Sequence, residues 1–100
     1  MASGEELLGE IASVLLCENE RVRIWNLIVE PGESSPWHVH DHDYLTVVLE
    51  GGGLTVESAD GTSDELSVEV GDWRYVSSHG VHRVVNKTNL RYKNVLVEFK

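Results

Sequence analysis

The feature that most constrains this chain is its punctuation. Short runs rich in β-branched and aromatic residues are cut at close intervals by Gly, Pro, Asn and Asp. The candidate strands are 13–17, 21–29, 44–50, 54–58, 65–70, 73–77, 81–86 and 91–99. Between them lie turn-forming clusters: Pro31-Gly32, Gly51-Gly52-Gly53, Ala59-Asp60-Gly61, Gly71-Asp72, His79-Gly80 and Asn86-Lys87-Thr88-Asn89. A parallel sheet needs helical crossovers, and no stretch is long and amphipathic enough to supply them. The pattern therefore predicts an all-β antiparallel sandwich or barrel. A short helix is expected only over 4–12, where Leu7, Leu8 and Ile11 fall at helical spacing behind Glu5 and Glu6.

One hundred residues suffice for one domain, 1–100, with residues 1–12 as an N-terminal segment and no internal boundary. So small a core gains from a bound metal or a second copy, and three tryptophans with open sheet edges point to a homodimer. Seventeen acidic residues against eight Lys+Arg give a formal charge of −9. That balance argues against nucleic acid, which requires a cationic face, and against anionic membranes. Cys17 is alone, so no intrachain disulfide forms. With an acidic N-terminus unlike a signal peptide and no apolar run of membrane-spanning length, the chain is expected in the cytoplasm. Cys17 itself, beside Leu15 and Leu16, reads as a small buried hydrophobe.

The chemistry concentrates in Trp37-His38-Val39-His40-Asp41-His42-Asp43. Alternate residues of a strand project to one face, roughly 6.5–7 Å apart, so His38 and His40 can converge on one ion if the strand curves. A third ligand must come from another strand, and His82 offers one. Neutral imidazole suits Fe, Mn, Ni, Cu and Zn. Spacing alone leaves a second reading equally open, in which these histidines and their flanking aspartates form an exposed polar strand end.

The wider spacing resembles the cupin superfamily. The first cupin motif is Gly, five residues, His-x-His, three or four residues, Glu, six residues, Gly. Here it reads Gly32, His38-Val39-His40, Tyr44 in place of Glu, and Gly51. The second motif is matched by Gly71, His82 and Asn86, with Ser77 in place of Pro and the following Gly one place late, at Gly80. The run 40–48 is similar to small single-domain cupins related to a β-alanine degradation protein. The resemblance implies an antiparallel double-sheet jelly-roll barrel. It also implies a divalent transition metal (Fe, Mn, Ni or Zn) on His38, His40 and His82, and a small-molecule substrate.

Exchanging the motif glutamate for Tyr44 leaves three neutral ligands, so the ion keeps more charge and more open positions for an incoming group. In the family, three-histidine centres include thiol dioxygenases. The four-ligand pattern serves oxalate-, polyketide- and sugar-type chemistries. The implied activity is therefore oxygenase-like or lyase/isomerase-like, on a small organic metabolite. Tyr44 has two readings: a catalytic proton donor, or an aromatic filling the barrel mouth. His42 shares the parity of His38 and His40, as a fourth ligand or a loop residue, and His79 reads as a turn or rim residue. If Tyr44 points inward, Thr46 and Val48 share its face, and Val84 shares that of His82. A non-catalytic metal- or small-molecule-binding module, and a structural domain with incidental histidines, are the competing readings.

Overall fold

A computed structural model describes residues 13–77 and 80–100. The expected helix over 4–12 lies outside them. Eight strands follow in order: β1 (Val14–Glu18), β2 (Val22–Val29), β3 (Tyr44–Glu50), β4 (Gly53–Ser58), β5 (Ser63–Ser67), β6 (Trp73–Val76), β7 (His82–Val85) and β8 (Tyr92–Phe99). They form two antiparallel sheets, ordered β1-β2-β8-β3-β6 and β5-β4-β7. The antiparallel all-β fold is the one that the turn spacing predicts, and its double-sheet jelly-roll form is the one that the family resemblance implies.

Register settles the face of β2, whose sequence is apolar on both parities. Trp25, Leu27 and Val29 pair with Leu96, Asn94 and Tyr92 of β8, and cross-strand partners share a face. Along β8 the alternation is strict: Tyr92, Asn94, Leu96 and Glu98 are buried, and the residues between them are half-buried. Leu27, Val29, Tyr44, Val48, Leu54, Val84, Tyr92 and Leu96 make the core between the sheets.

β5 begins two residues earlier than the apolar alternation of Leu66, Val68 and Val70 suggests. The preceding turn decides this. Asp60 Oδ1 accepts hydrogen bonds from the N–H and hydroxyl of Thr62, and Ser58 N–H bonds to Thr62 O, so pairing restarts at Ser63 opposite Glu57. Val70 is left exposed ahead of Gly71, which turns the chain into β6 with φ of +92°. Cys17 is exposed, not buried: β1 is an edge strand paired only with β2 among the described strands, and all five of its residues are exposed.

The segment between β2 and β3 positions the site. It runs along the free edge of β7, with Gly32 N–H bonded to Asn86 O, Ser35 N–H to Val84 O, and His38 and His82 exchanging both backbone bonds at 2.9 Å. Asn86 anchors the far end. Fully buried, it donates from Nδ2 to the carbonyls of Val29 and Leu90 and accepts at Oδ1 from the N–H and hydroxyl of Thr88. Asn86→Ala removes all four of these bonds, and of the groups involved the Thr88 hydroxyl and Leu90 O keep their bond to each other. The substitution is expected to cost about 2–4 kcal/mol and lower the midpoint of thermal unfolding by roughly 10–20 °C. An unchanged midpoint would mean that water replaces the amide at no cost.

Candidate metal centre

The two-bond bridge sets His38 directly across from His82, with ring centroids 4.6 Å apart and planes at 80°. His40, two residues on, brings its ring 5.1 Å from His38 and 5.3 Å from His82. One nitrogen of each of the three lies within 4.8 Å of the others. His38 and His40 are buried and His82 half-buried.

The donor set fits a transition metal on three observations. His38 Nδ1 lies 2.8 Å from Pro36 O, so Nδ1 carries the proton and donates it to that carbonyl, which leaves the Nε2 lone pair for a ligand. Burial lowers the pKa of His38, against a smaller opposing effect of the Pro36 bond. Burial, with the neighbouring His38 ring, pushes His82 down to about 4. At neutral pH these two rings are therefore the uncharged imidazoles that metals require.

Tyr44, the first residue of β3, stacks on His40 with centroids 3.9 Å apart and planes at 23°. No described residue hydrogen-bonds its hydroxyl. Burial raises the phenol to about 12, against a lowering by the charge of Arg74. Tyr44 thus holds its proton across the physiological range. Its ring also braces His40, so the packing role is present whatever the hydroxyl does.

The three histidines open onto a cavity of about 560 Å³ between the sheets. Tyr44, Thr46 and Val48 line one wall and His82 and Val84 the other, the parity that the alternation predicts. His42 sits half-buried in the loop ahead of β3, outside the group of three. His79 lies outside the described residues. The arginines divide. Arg83 turns away from the cavity to Glu57 at 2.7 Å and covers the Trp37 ring at 4.8 Å. Arg23 bonds Glu18 and Glu98. Arg74 lines the cavity. Trp25 donates its indole N–H to Glu98, and Trp73 is exposed at the rim.

Two residues of β8 escape sequence reasoning. Glu98, 1% exposed and opposite Tyr44, is the buried carboxylate at this end of the barrel, and it is engaged by Trp25 and Arg23. Asn94, 2% exposed, lines the cavity. The signal was their shared parity with Leu96, masked by the greater hydrophobicity of the opposite face.

Fold and site together define a double-sheet β-barrel with a histidine cluster at one end of its interior. The cupin domain family matches residues 25–97, and the chain belongs to that family. Among solved structures, a cupin domain from Bordetella pertussis Tohama I is 26% identical, with a TM-score of 0.77 over 92% of this chain and 99% of that one. A sugar phosphate isomerase of the cupin superfamily from Silicibacter pomeroyi DSS-3 is 20% identical, with a TM-score of 0.60 over 81% of this chain and 52% of its own. A polyketide cyclase, RemF, from Streptomyces resistomycificus is 22% identical, with a TM-score of 0.63 over 81% and 56%. This chain thus spans about half the length of the isomerase and the cyclase, and its likeness to them is one of fold. No curated protein matches the chain.

Proposed function

We propose that the protein is a metal-dependent enzyme, oxygenase-like or lyase/isomerase-like, acting on a small organic metabolite inside the barrel. The observation that carries this reading is the group of three imidazoles within 4.8 Å of one another, opening on an interior cavity. His38, His40 and His82 would hold one divalent transition metal (Fe, Mn, Ni or Zn), which supplies Lewis acidity or a redox centre when bound. The residues do the rest. Three neutral ligands leave the positive charge of the site undiminished for a polar or anionic substrate group. Apolar walls exclude water and orient the carbon skeleton. Tyr44 keeps a proton on its hydroxyl beside His40 and donates it to the bound substrate. That an isomerase and a cyclase share the fold is compatible with the lyase/isomerase branch.

Tyr44→Phe separates the two roles of the tyrosine. The ring stack on His40 is kept, so metal uptake and folding are expected to hold, while turnover falls roughly 10²–10³-fold. The assay is conversion of a panel of small thiols, acids and diketones, with oxygen consumption followed in parallel. Undiminished turnover in the variant would reduce Tyr44 to packing. Metal-loaded protein that converts no member of the panel would favour a non-catalytic binding module.

The working unit in this reading is a homodimer in the cytoplasm. The outward face of the five-stranded sheet carries Ile24, Ile28, Leu45, Val47, Val95 and Val97, beside exposed Trp73 and Tyr75. A contiguous apolar face of this kind calls for cover. Light scattering is expected to give twice the 11.2 kDa of the chain. A monomer at micromolar concentration, unaltered by Val97→Lys, would remove that assignment. The exposed thiol of Cys17 suits a reducing compartment, and no helix among the described residues is long and apolar enough to cross a membrane.

A further inference from the structure

We propose that Glu57, Arg83 and Trp37 form a clasp on the outside of the barrel that holds the histidine-bearing segment to β7 and so fixes the spacing of His38 and His82. The use of the clasp rests on the metal-centre reading, whereas its grip on the segment does not.

The seam it closes is weak where the site needs it firm. Two isolated bridges join the segment to β7, Ser34 opposite Val85 and His38 opposite His82. Between them three residues of the segment, 35–37, face two of β7, 83–84, so the pairing bulges. Pro36 sits in the bulge and has no N–H to give. The Val84 N–H turns instead to the Ser35 hydroxyl, at 3.0 Å. The bulge has a use, since the Pro36 carbonyl is the one that accepts from His38 Nδ1. It also leaves the ligand pair resting on the two backbone bonds of a single bridge.

Side chains make good the loss. His38 and His82 face the cavity, so their neighbours Trp37 and Arg83 lie on the outer face. There the Arg83 guanidinium covers the Trp37 ring at 4.8 Å, within reach of a cation–π contact. Arg83 Nε also donates at 2.7 Å to Glu57, its cross-strand partner on β4. A row of three side chains thus runs from β4 over β7 to the segment, one residue along from the row that carries His82 and His38. Arginine suits the middle place, because its planar cation stacks on an indole while its edge bonds a carboxylate. All three residues are half-buried, which keeps these contacts from being fully screened by water. Trp37 and Arg83 are positioning residues: they act through the imidazoles next to them in the chain.

The test uses the full chain, with cobalt(II) as the probe and its visible absorption as the readout of imidazole coordination. Trp37→Leu and Arg83→Gln should each weaken cobalt binding about tenfold, and the double variant should lose no more than either alone. Trp37→Phe, which keeps an aromatic face, should bind within about twofold of wild type. Leucine supplies bulk without that face, so packing alone would not separate the two. Hydrogen exchange reads the grip without metal. In metal-free Arg83→Gln the amides of His38 and His82 should exchange about tenfold faster. Those of Gly32 and Asn86, at the far end of the seam, should keep the wild-type rate. Three results would each overturn the proposal: wild-type cobalt affinity in Trp37→Leu and Arg83→Gln, equal loss in Trp37→Leu and Trp37→Phe, or exchange unchanged or raised at all four amides alike. Wild type that takes up no cobalt, with the two amides still freed in Arg83→Gln, would uphold the clasp and sink the metal centre alone.

Discussion

His82→Ala should weaken transition-metal binding by a hundredfold or more, on the order expected for losing one of three protein ligands. The cause is geometric. His38 and His40 come from one segment, and among the described residues the bridge to β7 supplies the third nitrogen within 4.8 Å. In wild type, metal at about a hundred times its dissociation constant adds roughly 2.7 kcal/mol of stability, or a rise of some 10–20 °C in thermal midpoint. In His82→Ala most of that rise should vanish at the same metal concentration, whatever the midpoint of the metal-free variant. His42→Ala is the comparison, since that ring lies outside the group of three. An equal loss in His42→Ala would shift the centre towards the loop ahead of β3. A full metal-induced rise in His82→Ala would remove the proposed ligand set.

The metal-free protein should lose stability as pH falls from 6.5 towards 4, earlier than its carboxylates alone would cause. Folding lowers the pKa of His82 from 6.5 to about 4, chiefly by burial, and lowers that of His38 for the same reason. In that window the unfolded chain binds protons that the folded one refuses, so stability is complete above 6.5 and drains away as pH falls through the folded value. The shift at His82 corresponds to about 3 kcal/mol at most, and with partial screening of a half-buried ring about 2 kcal/mol. That is roughly 10 °C in thermal midpoint between pH 7.5 and 4.5. The lowered carboxylates Glu18, Glu30 and Asp60 act below their ordinary value near 4 and leave this window to the histidines. Thermal scans across pH check it, with His82→Gln expected to flatten the curve. A wild-type midpoint unchanged between pH 7 and 5, or an equal slope in the variant, would contradict the burial of neutral imidazoles.

Much of the fold was legible because its boundaries are set locally. Gly51-Gly52-Gly53 and Ala59-Asp60-Gly61 turn the chain whatever lies beyond them, and the strands beside them begin within two residues of expectation. Faces were harder. On β8 the residues Val95, Val97 and Phe99 look like the core, yet the protein buries Tyr92, Asn94, Leu96 and Glu98. Hydrophobicity reports which faces avoid water, and here both do: one lines the cavity and one is the apolar outer sheet. The site was legible in its residues and not in its contacts. His-x-His and a distant His82 show at the level of spacing, whereas the bridge that joins them spans forty-four positions of sequence. The stacking of Tyr44 on His40 likewise depends on the curve of the chain into β3, which no local pattern encodes.

The central claim is that His38, His40 and His82 form one metal centre. Crystals of the protein purified without chelator, measured on both sides of the absorption edges of Fe, Mn, Ni and Zn, test it most directly. A single anomalous peak is expected within coordinating distance of all three imidazoles. Its absence in metal-replete crystals, with the three rings hydrogen-bonded to one another or to water, would contradict the metal centre.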